Sequence, residues 1–306
     1  MRPTLRQLQY LVAIAETGRF SDAARRLNVS QPSLSAQVAE VEAELGAALI
    51  ERGRRGAVMT PIGEAVVQRA RRVLSDVEDL KLLARQSLEG LFGRMRLGVL
   101  ASVGPYLLPN VTKRLHTQYP EFRMAVREER TIDLEAHLQD GQLDTVISTL
   151  EDHPGRSSMR LFDERLWICA APDDVLSQDT APVQLSDLKG RGLLSLGYGH
   201  RLTTIIEDLA RQAEGYVSME YQGTSLDAIR QMAIMGAGVA ILPSLYATSE
   251  ARRDPDLVVR LIDHPGAART VSLIWRSESP LTQPFETLGE VLSDVAQDLL
   301  SKADRV

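Results

Sequence analysis

The stretch that most constrains this chain is residues 20–60, because helix starts, stops and a hairpin bend follow one another there in a fixed order. Two short helical segments meet at Asn28-Val29: the first is capped by Ser21 with Asp22 in its first turn, and the second opens at Ser30. Pro32 is tolerated in that opening turn, where its missing N–H has no helical partner. Leu34, Val38, Val41 and Leu45 recur at spacings of four, three and four, which predicts one buried stripe with Ser33, Ala36 and Glu40 facing away. Gly46 stops the helix, and Leu49 to Met59 then alternates as a short hairpin bent at Gly53 and Gly56, with Arg52, Arg54 and Arg55 near its tip. The order of elements is that of a winged helix-turn-helix. Gln31, Ser33, Ser35 and Gln37 are compact hydrogen-bonding side chains able to approach base edges and phosphates closely. With Ser21, Ser30, Pro32 and the three wing arginines they are the expected contacts to double-stranded DNA.

Charge distribution agrees with that partner. The whole chain carries a net charge of −6, but residues 1–60 hold eight arginines against six acids, leaving 27 basic and 35 acidic side chains beyond them. The positive end is the one that would meet phosphate.

Residues 5–64 resemble the DNA-binding domain of LysR-type transcriptional regulators. The resemblance rests on Leu5-x-x-Leu8, Ser21-x-Ala23-Ala24-x-x-Leu27, Ser30-Gln31-Pro32-Ser33-Leu34-Ser35, Leu45-Gly46, Leu49-x-x-Arg52 and Thr60-Pro61-x-Gly63, and it continues to the C-terminus. It implies an α/β multidomain protein: a winged helix-turn-helix over residues 1–60, a dimerising linker helix over 61–90, and an effector-binding domain over 91–306. The last would be a periplasmic-binding-protein-like pair of α/β subdomains, 91–163 with 268–306 and 164–267, joined by crossing strands near Ser158 to Ala171 and Pro265 to Arg276.

The residues themselves support this division. Leu5, Leu8, Val12 and Ala15 predict a first helix ending at Gly18, a scaffold for the recognition helix. Thr60 can cap a longer one with Pro61 in first position, and Ile62, Val66, Ala70, Val73, Val77, Leu80 and Ala84 make a near-heptad seam along it. A narrow apolar seam needs a partner, so a homodimer or homotetramer on a partly dyad-symmetric operator is expected, with RNA polymerase as a further partner. From Arg94 onward, short apolar runs alternate with helical stretches: Met95–Leu100, Phe122–Val126, Leu143–Thr149, Leu166–Ala171, Leu193–Leu196, Val217–Tyr221, Val239–Leu242 and Val271–Trp275, closed by a helix over Thr282–Leu300. At 44% apolar over 306 residues the chain has enough material for more than one core.

In open α/β folds ligands gather beyond the carboxyl ends of strands, beside helix N-termini. Ser102, Thr131, Ser148 and Thr149 fall at such positions in the first subdomain, Thr131 as a helix cap, and Gly199, His200, Arg201, Thr203 and Thr224 in the second. Together they predict a cleft for a small polar or anionic effector, with Arg201 suited to bidentate binding of a carboxylate.

Within the family the chain is similar to the OxyR-type subgroup at Val103 to Pro109, Leu161-Phe162-Asp163-Glu164, Gly199-His200 and Thr224-Ser225-Leu226. The resemblance would place a peroxide-reactive cysteine where this chain has Arg201, and its resolving partner at Ala210. The single cysteine, Cys169, lies in an apolar strand and reads as inert, and it excludes an internal disulfide or a cysteine-rich zinc site. An effector-controlled regulator is therefore the expected function. The alternatives are a peroxide-responsive OxyR-like regulator, or a solute-binding module or enzyme with an incidental helical N-terminus. Gly236-Ala237-Gly238 leads from a helix into a strand, the reverse of a dinucleotide loop, and five scattered histidines show no metal-ligand spacing. No cofactor, no metal, no enzymatic activity and no membrane segment are expected, and the location should be cytoplasmic.

Overall fold

The structure, a computed structural model, describes residues 3–53, 56–85, 91, 93–219, 223, 225–254 and 257–303. The chain divides into two compact units, the first built on the N-terminal residues.

In that first unit α1 (Leu5–Thr17) opens with a reciprocal cap: the Thr4 hydroxyl accepts the Gln7 N–H while the Gln7 side chain accepts the Thr4 N–H at 2.9 Å. It ends at Gly18 in the left-handed conformation, φ 66°. Its buried face is Leu8, Leu11 and Ile14; Leu5 is exposed, and Val12 and Ala15 border the stripe. The stripe lies one row over from the spacing expected.

Helix α2 (Phe20–Arg26) begins two residues earlier than a helix capped by Ser21 would. Gly18 releases the chain straight into an extended Arg19, which occupies the cap position without a side-chain bond, so Ser21 is an exposed residue inside the first turn. Asn28, at φ 53°, makes the tight turn to α3 (Gln31–Leu45). There Ser30 does cap, accepting the Ser33 N–H at 3.3 Å, and Leu34, Val38 and Val41 are buried as expected. Leu45 is not: it is 42% exposed, because the last turn of α3 outruns the core. Glu42 ties that end down, accepting the N–H groups of Leu49 at 2.8 Å and Ile50 at 3.1 Å.

The wing is β1 (Ile50–Gly53) paired antiparallel with β2 (Gly56–Met59), and Ala57 N–H donates to Gly18 O at 2.8 Å, docking the wing on the first helix-turn. Arg52 lies in β1; Arg54 and Arg55 lie outside the described residues. Helix α4 (Pro61–Arg85) is capped by Thr60, whose hydroxyl accepts the Gly63 N–H at 2.9 Å and donates to Ala48 O at 2.8 Å. Only glycine fits at 63, where a Cβ would collide with Leu49 O. The expected seam divides: Ala70, with Val67, is buried on the head, whereas Ile62, Val73 and Leu80 stay exposed.

The second unit is a mixed sheet with helices. In chain order its elements are β3 (Gly93–Leu100), α5 (Gly104–Gln118), β4 (Phe122–Glu129), α6 (Thr131–Gln139), β5 (Thr145–Ser148), β6 (Ser157–Cys169), β7 (Val183–Gln184), β8 (Gly192–Leu194), α7 (Arg201–Gln212), β9 (Tyr216–Val217), α8 (Leu226–Ile234), β10 (Val239–Pro243), α9 (Ser244–Arg253), β11 (Val259–Asp263), β12 (Ala268–Trp275) and α10 (Thr282–Ala303). Strand order is β4-β3-β5-β12-β6-β10-β8-β9. Parallel pairs β3·β4, β3·β5, β8·β9 and β8·β10 have the helical connections that parallel pairing requires.

One strand joins the two halves. Over residues 157–165 β6 pairs with β12, and over 166–169 it pairs with β10 and, from 167, with β11. All eight expected runs carry strand, although Val217–Tyr221 is strand only at its start, and Glu220 to Gln222 lie outside the described residues. The strands β7 and β11 were not anticipated. The second half closes over a core that includes Leu166, Ile168, Leu193, Ile206, Leu209, Ile229 and Ile241, each such side chain contributing about 1.5–3 kcal/mol on full burial.

Candidate functional site

The reading surface of the first unit is the opening turn of α3. Gln31, Pro32 and Ser33 are exposed there, Ser35 and Gln37 half-buried. A helix start presents backbone N–H groups and the positive end of the dipole, which suits phosphate as well as base edges. Two expected contacts are already employed. Ser30 spends its hydroxyl on the cap, and Gln37 is oriented by Gln7, whose Nε2 donates to Gln37 Oε1 at 3.2 Å.

The second unit holds a cavity of about 590 Å³. One cluster on its wall begins at Ser102, just past β3. The Ser102 hydroxyl accepts Arg269 Nη2 at 2.8 Å, and Arg269 Nε and Nη2 donate to Glu164 Oε2 at 2.9 and 2.6 Å. Register explains the pair, since Arg269 lies directly opposite Glu164 between β12 and β6. Both side chains are essentially sealed from solvent, 3% and 0% exposed, and the second Glu164 oxygen accepts the Leu245 N–H at 3.1 Å at the start of α9. Every charge of that pair is compensated, as burial demands.

Thr131, His200 and Arg201 complete this cluster. Thr131 is the first residue of α6 rather than its cap; its hydroxyl instead accepts the backbone N–H of Arg201 at 3.1 Å, capping α7 from seventy residues upstream. His200 is buried, and its Nε2 has no hydrogen-bond partner among the described residues. Burial, and then the positive Arg130, push its pKa below the ordinary histidine value against the opposing pull of Asp133, so the ring is neutral at neutral pH. The Arg201 guanidinium is tethered only loosely, Nη1 standing 3.5 Å from Asp152 Oδ1.

A second cluster lies on α5, α8 and α9. The rings of Tyr106 and Tyr246 meet edge to face, 5.5 Å between centroids at 78°. Tyr246 OH donates to Asp227 Oδ1 at 2.6 Å and accepts Arg230 Nε at 3.2 Å, and Arg253 Nη1 lies 2.7 Å from Glu250 Oε1. Burial, then Glu250 and Asp227, raise the Tyr106 pKa well above the phenol range.

Of the expected pocket residues, Ser102, Thr131, His200 and Arg201 line the cavity. Ser148, Thr149, Gly199 and Thr203 do not. Ser148 is buried in β5; the Thr149 hydroxyl bonds Asp152; Thr203 donates to Leu196 O at 3.0 Å and Gly197 O at 3.1 Å, fastening the loop. Gly199, at φ 92°, keeps the backbone against Ile132, whose methyl would stand 2.9 Å from a Cβ. Thr224 lies outside the described residues. Sequence reasoning missed Arg269, Tyr106, Arg230, Tyr246 and Glu250. Glu164 stands between Asp163 and Arg165, and Arg269 between Ala268 and Thr270, so nothing local marks either as the buried member of a pair.

Cys169 is not part of the wall. It is fully buried in β6, and desolvation pushes its thiol pKa up to about 11 although Arg230 pulls the other way.

A winged helix-turn-helix and a two-part α/β cavity in one chain define a ligand-governed DNA-binding protein. Residues 5–64 match the bacterial regulatory helix-turn-helix proteins of the lysR family, and residues 88–297 match the LysR substrate binding domain. The chain belongs to the LysR family of DNA-binding transcriptional regulators. It is 36% identical over 289 residues, 94% of either chain, to the DNA-binding transcriptional dual regulator OxyR of Escherichia coli K12. A full-length OxyR variant of Pseudomonas aeruginosa is similar in structure, with a TM-score of 0.76 at 30% identity, covering 95% of this chain and 97% of that one. A hydrogen-peroxide-bound OxyR variant of Corynebacterium glutamicum gives a TM-score of 0.68 at 30% identity over 100% of this chain and 96% of its own. Among the described residues no helix is long and apolar enough to cross a membrane.

Proposed function

We propose that this regulator answers to a small anionic effector, such as a carboxylate, bound in the 590 Å³ cavity. The observation that carries the reading is the charge of the wall, where Arg201, Arg230, Arg253 and Arg269 outnumber Asp227 and Glu250. Arg201 is the guanidinium that a carboxylate would engage, because its bond to Asp152 is long and its Nε is unpartnered among the described residues. Hydroxyls of Ser102 and Thr131, neutral His200 and the amino end of α7 complete an anion site. Binding there draws Arg201 from Asp152 and biases the relative angle of the two halves, and in a dimer paired through Ile62, Val73 and Leu80 that angle sets the spacing of two recognition helices.

The names of the OxyR relatives suggest a peroxide-responsive role instead. Against it stands the state of Cys169, the chain's one thiol, which is buried and held protonated, whereas peroxide chemistry at sulfur needs an accessible thiolate.

The test is a thermal-shift screen of carboxylates on the wild type and on Arg201→Ala, followed by reporter transcription. Arg201→Ala should abolish the effector response while leaving operator affinity without effector as it was. An undiminished response would remove Arg201 from the site, and a response to peroxide in Cys169→Ser-sensitive fashion would favour the second reading.

A further inference from the structure

We infer that the effector is a zwitterion, its anionic group held by Arg201, Ser102 and Thr131 and a protonated amine received by Glu250, Asp227 and the Tyr106 ring. The inference rests on the anionic-effector reading and adds the second charge.

Size comes first. A water molecule's share of liquid volume is about 30 Å³, so a cavity of about 590 Å³ admits a metabolite rather than a two-atom ligand. Charge is then divided unevenly along the wall. Around Ser102 and Thr131 the wall's own charged groups are the guanidiniums of Arg201 and Arg269, and the carboxylate behind them, Glu164, is consumed by Arg269 and by the Leu245 amide.

Around Tyr106 two carboxylates, Asp227 and Glu250, face two guanidiniums, Arg230 and Arg253, so the wall there is balanced where the first cluster is positive. Asp227 gives one oxygen to Tyr246 OH and Glu250 gives one to Arg253. The Glu250 side chain is 11% exposed but its partner's is 71% exposed, which makes Arg253 a screened and weak competitor for that carboxylate. Arg230 donates to Tyr246 OH and stands 3.8 Å from Asp254, and Glu250 and Asp227 are near enough to act on its charge as well. Acceptor oxygens of Asp227 and Glu250 therefore lie beside two aromatic rings, the surroundings in which a cationic nitrogen is bound. The same division acts on two side chains of the wall, half-buried Tyr106 and buried His200. The Tyr106 hydroxyl is pushed up by Glu250 and Asp227 ahead of any arginine, and His200 is pushed down by Arg130 ahead of any acid, burial being the first cause in both.

The test is calorimetric titration of the full-length protein with short-chain ω-amino carboxylates and with the monocarboxylates and dicarboxylates of matching length. The amino carboxylates should bind about tenfold or more tightly than the monocarboxylates, and Glu250→Gln should erase most of that preference. Asp227→Asn provides the same reading should Glu250→Gln fail to fold. Equal or tighter binding of dicarboxylates, or a preference that survives both substitutions, overturns the zwitterion. If those dicarboxylates also lose affinity in Arg201→Ala, the anionic reading stands without it; if no probe binds at millimolar concentration, both fall.

Discussion

The reading surface and the cavity solve opposite problems. Every expected contact of the reader falls between Ser21 and Arg55, and those described are mostly exposed. The cavity draws its wall from segments spread between Leu100 and Arg269, and most of its charged groups are already bonded to other side chains of the fold. An exposed polar side chain is satisfied by water and is free to wait for a ligand. A buried one must find its partner inside the fold, or desolvation costs more than the contact returns. Function and stability are therefore separable in the reader and entangled in the cavity.

The sharpest way to break this contrast is Arg269→Ala. It strands the Glu164 carboxylate in a sealed site and should destabilise the second unit by about 3–5 kcal/mol in urea unfolding of the full-length protein. Replacing both partners by apolar residues of similar volume should recover much of the loss; a single substitution without effect would show the cavity to be no more constrained than the surface. Gln31→Ala should do the reverse, weakening operator binding by about 1–3 kcal/mol in anisotropy titrations while the unfolding midpoint stays put. Arg52→Ala should weaken binding alike on every sequence and lower the salt slope by about one.

Ser30→Ala is intermediate, since the hydroxyl caps α3. About 1 kcal/mol of stability should go with it, alongside some DNA affinity. The smallest effect is in pH. Because His200 is held below its ordinary 6.5, the unfolded chain takes up its proton more readily than the folded one. The stability difference is fully present above 6.5 and is lost as pH falls from there through the folded value. His200→Asn should flatten that part of the stability profile, and an unchanged slope would place the acid sensitivity elsewhere.

What the sequence revealed follows the same line. Ser30, Gly18, Gly46 and Thr60 act on backbone groups a few residues away, so their roles were legible. Ser21 misled because the left-handed Gly18 lets Arg19 start the helix, and Leu45 because periodicity continues after the core has ended. Ser102, Thr131, His200 and Arg201 were reached through a positional rule about strand ends, without their partners. A separation of 105 positions along the chain hid the pair of Glu164 and Arg269, which exists only once strand register is fixed. Tyr246 and Glu250 depend on which face of α9 looks inward, and that is decided by packing.

The bond that the Arg201 amide donates to the Thr131 hydroxyl makes α7 a helix whose first turn is finished by the opposite lobe. Prising the lobes apart would leave that amide bare and fray the very turn that carries Arg201. An empty, gaping conformer would then lose the order of its own anion receptor, so hydrogen exchange at the Arg201 amide is a direct gauge of how often the jaws part.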